Sequence, residues 1–358
     1  MKEQLKNFLK FLFFLSIGVG ILYLLYVNQN AAFQEECGLR GIAEEDCSLL
    51  KKVINDFRTA NYFWILVVLC LFTISNVSRA IRWNMLIKPL GYQPRFVNSL
   101  LSIFIGYFAN LGIPRMGEIV RAATLSQYEK IGVEKVMGTI VVDRIVDVIS
   151  ILLVTGLAVL LEFNTIATFV DENVSVTEKL GGLQRLALYG ILLAVFFGGI
   201  FFFFRKRIMA TKLFERVMKL VQGFIEGIKT IQKLERPWLF VLHSINIWLM
   251  YYLMTYMCFF AFAPTSHLSA LSGLLVFIFG GWGIVVPSPG GMGSYHFLVQ
   301  TALQMYGIDP NDAFSFSNIA FFSIQLGCNV FLGVLSLIAL PIINKNYTPS
   351  WSKQEQES

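Results

Sequence analysis

Arg115, Glu118 and Arg121 follow an apolar run at intervals of three, within Gly106-Tyr107-Phe108-Ala109-Asn110-Leu111-Gly112-Ile113-Pro114-Arg115-Met116-Gly117-Glu118-Ile119-Val120-Arg121. Side chains three apart on a helix meet across one turn, which places Glu118 and Arg121 to pair. Arg144 and Asp147 repeat that spacing inside a second apolar run, with Asp143 on the adjacent face, and Arg79 and Arg82 stand at the end of a third. A charge at mid-membrane costs at least about 2.5–3.5 kcal/mol on insertion scales, so charges kept there are paired or functional. The guanidinium group is a planar fork that matches two phosphate oxygens. Together these groups could line one polar cavity in an apolar bundle, suited to a phospholipid with its headgroup in the cavity and its tails in the bilayer. Plainer readings stand beside this one. Arg79 and Arg82 also fit positive-inside anchors, and Asp143, Arg144 and Asp147 also fit an ion-pair network holding two helices together.

A second Gly/Pro break returns about half a chain later, in Gly280-Gly281-Trp282-Gly283-Ile284-Val285-Val286-Pro287-Ser288-Pro289-Gly290-Gly291-Met292-Gly293-Ser294. It bears no charge. Its glycines, among them Gly290, Gly291 and Gly293 beside Pro289, permit positive φ and close backbone approach. A helix restarting near Ser294 would aim its positive dipole end inward, toward an anion; Ser294 also reads as a simple N-cap. Two Gly/Pro-broken hydrophobic segments in corresponding halves point to an inverted-repeat transporter with its site at the breaks.

Such segments need a bilayer around them, and composition supplies that setting. The chain of 358 residues is 56% hydrophobic and 15% charged, with 33 Phe. Soluble proteins hold about 25% charged residues. Apolar runs cover roughly 8–27, 62–78, 99–113, 136–161, 186–204, 238–262, 268–286 and 313–343. Several are long enough to cross a hydrocarbon core of about 30 Å. The run from Phe11 to Val27 is too long for a cleavable signal and reads as a retained first span.

Loop charges orient the spans. Residues 1–10, 79–95 and 205–236 are rich in Lys and Arg, whereas 28–61 and 163–185 hold more acidic than basic residues. The first set is cytoplasmic and the second outside. Span 136–161 must then run outward from the inside, so 99–113 has to enter and leave on the cytoplasmic side. Its break supplies the turn. Segment 268–286 does the same from the other face and returns through 295–306. The expected fold is an all-α polytopic membrane protein of about eight hydrophobic segments: six full spans plus two oppositely oriented re-entrant hairpins forming an inverted repeat. Eight full spans is the alternative. The expected organisation is a single transmembrane domain over 1–343, with halves 1–204 and 237–343. A basic amphipathic linker at 205–236 carries Leu213, Val217, Leu220, Phe224 and Ile228 at helical spacing. Residues 344–358 read as a polar, disordered cytoplasmic tail.

The net charge of +6 fits anionic headgroups. No basic block interleaved with aromatics suggests nucleic acid. No catalytic motif stands out, and His243, His267 and His296 match no metal-ligand spacing, so neither metal nor cofactor is expected and the chain does not read as an enzyme. Cys70, Cys258 and Cys328 fall in apolar runs and read as packing residues. Cys37 and Cys47 share one polar loop, where a disulfide and two free thiols are both open. Trp64, Trp83, Trp238 and Trp248 read as interface or packing residues without a site.

Arg79-x-x-Arg82-Trp83, Gly106-Tyr107-x-x-Asn110-x-x-x-Pro114-Arg115-x-Gly117-Glu118-x-x-Arg121, Asp143-Arg144-x-x-Asp147 and Pro287-x-Pro289-Gly290-Gly291-x-Gly293 together resemble the lysylphosphatidylglycerol synthase transmembrane-region family, also described as flippase-like membrane proteins. The resemblance covers nearly the whole chain. It implies lipid translocation, expected in a bacterial-type cytoplasmic membrane; the six spans and two hairpins place both termini inside. It also draws Asn110, Pro114 and Gly117 into the candidate site. Aminoacyl-lipid synthases of that kind fuse such a region to a soluble aminoacyltransferase domain. This sequence runs only about fifteen polar residues past its last span, so aminoacyl transfer by it alone is not expected. One departure is His296, where many relatives carry an acidic residue; a histidine there would add pH dependence near neutrality. The expected function is a lipid flippase or transporter. Arg115, Arg121 and Arg144 would bind phosphate, and Glu118 and Asp147 would hold those arginines or contact a cationic headgroup. The expected partners are anionic or modified phospholipids, with a lipid-modifying enzyme as a further candidate. A membrane enzyme on a lipid-linked substrate, with Glu118 or Asp147 as acid/base, is one alternative. A non-transporting partner of envelope-building enzymes is the other.

Overall fold

A computed structural model describes residues 48–112, 116–173, 234–286, 291–349 and 351, with positions between 16 and 37. All regular structure among the described residues is helical. The helices are α1 (Leu49–Thr59), α2 (Tyr62–Ile87), α3 (Phe96–Gly112), α4 (Gly117–Glu129), α5 (Val133–Leu161), α6 (Phe163–Asn173), α7 (Pro237–Ala261), α8 (Ala270–Val285), α9 (Ser294–Gln304), α10 (Pro310–Ala320) and α11 (Asn329–Ile343). A π-helical stretch, Phe321–Cys328, joins α10 to α11. Starts are set locally. Side chains of Ser48, Asn61, Ser269 and Asp309 accept backbone N–H groups of the first turns of α1, α2, α8 and α10. Each satisfies a donor that has no intrahelical partner.

Among the described residues, four stretches are long and apolar enough to cross a membrane: Tyr62–Leu90, Val133–Leu161, Pro237–Ala261 and Pro310–Ile343. On α5 the leucines at 152, 153, 157, 160 and 161 are exposed. So continuous an apolar face marks contact with lipid rather than water. α3 and α8, of 17 and 16 residues, are shorter. At about 1.5 Å per residue they reach roughly 25 Å. The candidate spans at 8–27 and 186–204 lie largely outside the described residues, as does the basic linker up to Lys233.

α2 and α7 run side by side and antiparallel. At one end the Asn61 N–H donates to the Ala261 carbonyl, 2.9 Å. At the other Lys88 pairs with Glu235, 2.7 Å. α3 and α4 form a hairpin that opens at the Lys88 end. Ser99 Oγ donates to Asn84 Oδ1 of α2 at 2.6 Å. Glu129, the last residue of α4, accepts from the Arg95 N–H at 2.9 Å and from Asn98 Nδ2 at 2.6 Å. α8 and α9 form a second hairpin that opens at the opposite end, where Leu268 and Ile308 share a core with Phe262. The first arm of each hairpin packs on a long helix of the other half, α3 on α11 and α8 on α5. Gly333 of α11 admits Phe108 of α3, against which any Cβ would collide. Trp282 Nε1 of α8 donates to Thr155 Oγ1 of α5 at 3.1 Å.

The chain packs as two units, Met1–Leu161 with Leu234–Ser358, and Glu162–Lys233. In the second, Glu162 accepts from the Thr165 hydroxyl at 2.7 Å in the first turn of α6.

Three stretches differ from the sequence reading. The polar loops at 28–61 and 163–185 contain α1 and α6, helices that a search for long apolar runs passes over. α1 is anchored by Lys52, which pairs with Asp56 at 2.8 Å and with Asp312 of α10 at 2.6 Å. The tail is ordered through Pro349 and again at Trp351. Asn344 exchanges two amide hydrogen bonds with Asn98. The Tyr347 hydroxyl donates to Glu129 Oε2 at 2.9 Å, and Trp351 Nε1 to the Glu129 carbonyl at 2.8 Å. Glu129 is fully buried, and its unmet acceptors organise a segment whose polarity alone suggests disorder. Cys258 and Cys328 are free and buried, whereas Cys70 is exposed. Cys37 is disulfide-bonded, and Cys47 lies outside the described residues.

Candidate functional site

Four guanidinium groups and three carboxylates meet where α2, α4, α5 and α7 come together. Arg79 and Arg82, one turn apart on α2, both reach Asp143 and Asp147 on α5. Arg79 Nη1 lies 3.1 Å from Asp143 Oδ2 and 2.7 Å from Asp147 Oδ2. Arg82 Nη2 lies 2.5 Å from Asp143 Oδ1 and 2.8 Å from Asp147 Oδ1. α7 closes the ring, with Arg82 Nη1 donating to Ser244 Oγ at 3.2 Å and Arg79 Nη2 to the Tyr251 hydroxyl at 3.3 Å. The Tyr251 hydroxyl meets that of Tyr107 on α3, 3.2 Å away. Arg79, Arg82 and Asp143 are 2%, 0% and 0% exposed. Charges removed that far from water persist only when paired and hydrogen-bonded. The terminal nitrogens of Arg79 and Arg82 are therefore committed within the protein.

The hairpin break sets the other two arginines. Asn110 Oδ1 accepts the Gly117 N–H at 2.7 Å, so the end of α3 caps the start of α4. Gly106 and Gly117 sit where the two arms cross. A Cβ on Gly106 would stand 2.8 Å from the Gly117 carbonyl oxygen, and one on Gly117 would collide with the Gly106 oxygen. This close approach turns Arg121 inward. Its Nη1 donates to Asp143 Oδ2 at 3.2 Å, and its guanidinium stacks 3.7 Å from the ring centroid of Trp83. Trp83 is fully buried and held by an Nε1 bond to Thr139 Oγ1, 2.9 Å. A desolvated contact of this kind stabilises by about 2 kcal/mol. Glu118 pairs with Arg144 Nη2 at 3.0 Å, and Arg144 Nη1 lies 3.5 Å from Asp147. This pair forms the rim, with the Arg144 side chain 39% and that of Glu118 26% exposed.

The spacing of Glu118 and Arg121 suggests a pair, yet each binds α5 instead. An exposed pair within one helix is worth only about 0.3–0.5 kcal/mol. Leaving Asp143 or Arg121 uncompensated in the core would cost several times that. Arg144 and Asp147 do meet as their spacing suggests. Pro114 and Arg115 lie outside the described residues. In the second hairpin so do Pro289 and Gly290. Gly291 and Gly293 have φ of 81° and 84°, a conformation that favours glycine. Ser294 is not the N-cap; Gly293 is. The Ser294 hydroxyl donates to the Gly283 carbonyl at 2.7 Å and so fastens α9 to α8. His296 is fully buried, and its Nδ1 accepts the Gly293 N–H at 3.3 Å. Among the described residues, no hydrogen bond or ion pair joins Gly291, Gly293, Ser294 or His296 to the arginine network.

Trp83, Ser244, Tyr251 and Tyr107 belong to the network, although the sequence reading gives them no role. Ser244 and Tyr251 are seven apart, two turns along one face of a helix. That was a usable signal for a polar stripe on α7. Trp83 lies beside Arg82 in sequence but serves Arg121.

The sequence pattern described as "Lysylphosphatidylglycerol synthase TM region" matches residues 48–333. That interval holds the whole arginine network and both hairpins. The chain is 34% identical over 101 residues to the UPF0104 membrane protein MJ1595 of Methanocaldococcus jannaschii, which is 27% of this chain and 30% of that one. It is 30% identical over 115 residues to the UPF0104 membrane protein PH1989 of Pyrococcus horikoshii, which is 31% of this chain and 34% of that one. The matched stretches thus span about a third of these curated relatives. No solved structure matches the chain. With a match of that extent across the membrane helices, the chain belongs to the lysylphosphatidylglycerol synthase transmembrane-region family.

Proposed function

We propose that the protein is a lipid flippase or transporter, moving a phospholipid or a lipid-linked headgroup past the arginine network between two re-entrant hairpins. The observation that carries this reading is a desolvated arginine–aspartate network at a helix break, inside helices whose outer faces suit lipid. Intramembrane charges of this kind mark substrate paths in transporters. The opposed hairpins support it further. Their first arms reach roughly 25 Å, short of a hydrocarbon core of about 30 Å. Each half contains a span–hairpin–span unit, α2 to α5 in the first and α7 to α11 in the second, which fits an inverted repeat.

In this account the chain makes six full spans in a cytoplasmic membrane, with both termini and the basic segments inside. Glu118 and Arg144 stand at the mouth. Arg121 and Arg144 meet the phosphate, with Arg115 the third candidate. Arg79, Arg82, Asp143 and Asp147 form the wall. We assign no catalytic role, because the carboxylates of Asp143 and Asp147 are already engaged by guanidinium groups. The protein needs no cofactor in this reading. Membrane lipids are its partners, together with any enzyme that modifies the same lipid.

The test is to incubate purified protein with headgroup-labelled phospholipid in vesicles and analyse the lipid by mass and by leaflet. Transfer between leaflets with unchanged mass is expected. A lipid of altered mass would favour an enzyme instead.

A further inference from the structure

Arg121 uses two of the three recognition surfaces of its guanidinium. Its face lies on Trp83, and its Nη1 is bonded to Asp143. The remaining edge, Nε with Nη2, is buried and meets no acceptor among the described residues. Arg121 is 4% exposed. Arg79 and Arg82 each leave only Nε unmatched. Nε and Nη2 of one guanidinium point the same way, and together they offer two parallel donors at the spacing of two oxygens on one phosphorus or carbon. Orphaned donors at this depth are costly unless a ligand or solvent meets them. Charge favours an anion, since four guanidinium groups face three carboxylates in the network. Gly106 packs on the root of the Arg121 side chain, where a Cβ of its own would stand 3.0 Å from that of Arg121.

We infer that the Nε–Nη2 edge of Arg121 is a bidentate site for a phosphate-type oxyanion. The inference rests on the translocation reading only for the source of that anion, a lipid headgroup rather than a free ion. Asp143 and Trp83 hold the group from the other sides, so an anion can dock without breaking an existing bond. The rim arginine, Arg144, lies nearer to solvent.

The test compares wild-type protein with Arg121→Lys in a phosphate-free detergent. Lysine retains a charge opposite Asp143 but has no fork. Melting temperature is followed on titration with short-chain phosphatidylglycerol, with diacylglycerol of the same chains, and with inorganic phosphate. Stabilisation by phosphatidylglycerol and not by diacylglycerol is expected, weakened about tenfold or more in apparent affinity by Arg121→Lys, because a bidentate charged contact is lost. Equal stabilisation by inorganic phosphate would support the fork and transfer it to a free anion. Diacylglycerol acting as well as phosphatidylglycerol, or undiminished affinity in Arg121→Lys, would overturn the inference. If Arg121→Lys does not fold, equal stabilisation of the wild-type protein by the two lipids still overturns the inference. Binding without movement in vesicles would leave the fork standing and end the transport reading. Movement undiminished in Arg121→Lys would overturn the fork and leave transport standing.

Discussion

Asp143 is the residue on which the network turns. It is fully buried and accepts from Arg79, Arg82 and Arg121 at once. Asp143→Asn keeps the shape and removes the charge, leaving three desolvated guanidinium groups with one shared carboxylate fewer. Removing one partner of a buried pair costs about 3–5 kcal/mol. The expected outcome is a sharply lowered melting temperature or loss of folded protein in detergent. Asp147, at 12% side-chain exposure, should lose less when changed to Asn. The sequence marks these residues because charges are rare in apolar runs. Their pairing is not legible there. Arg79 and Asp143 are 64 residues apart, and the Glu118–Arg121 spacing points to a local pair that the packed bundle overrides. Trp83 was hidden for the same reason: its role depends on Arg121 arriving from another helix.

Between elements, the crossing of α3 and α4 fixes where Arg121 can reach. Gly117→Ala would drive a methyl into the Gly106 carbonyl and the Asn110 amide. Overpacking of this kind costs about 1–3 kcal/mol, and here it would also displace Arg121. Gly112→Ala meets open space and should stay within about 1 kcal/mol of wild type. Melting curves of the two variants measure the difference. α1 offers a pH test outside the membrane segments. Burial opposes the charge on Lys52, but its hydrogen bonds to Asp312 and Asp56 outweigh this and raise its pKa above the ordinary 10.5. A raised amine stabilises fully below its unfolded value and ceases to do so as pH rises through the folded value. The tie between α1 and α10 should thus hold through neutral pH and loosen above about pH 10.4. Lys52→Met should remove that alkaline transition, read by proteolysis of the 48–60 segment across pH. The long spans and both breaks were legible from hydropathy and Gly/Pro placement. α1, α6 and the docked tail were not, because short helices and a strap built on one buried Glu129 leave no periodic apolar trace.

Across the whole molecule, opposed hairpins make a prediction about sides. Cysteines introduced at Lys130 and Lys345, near the open end of the first hairpin, should react with an impermeant thiol reagent from one face. Cysteines at Ser266 and Gly307, near the open end of the second, should react from the other. A background lacking the exposed Cys70 is needed. Labelling of all four from one face would contradict opposed hairpins and favour a different span count. The most direct measurement is lipid movement itself. Purified wild-type protein, Arg144→Ala and protein-free vesicles would be compared using headgroup-labelled phosphatidylglycerol and a membrane-impermeant quencher. Lipid translocation requires that wild type expose inner-leaflet label far faster than protein-free vesicles, and that Arg144→Ala be slower. Wild-type vesicles indistinguishable from protein-free ones, with folded protein confirmed in the bilayer, would contradict it.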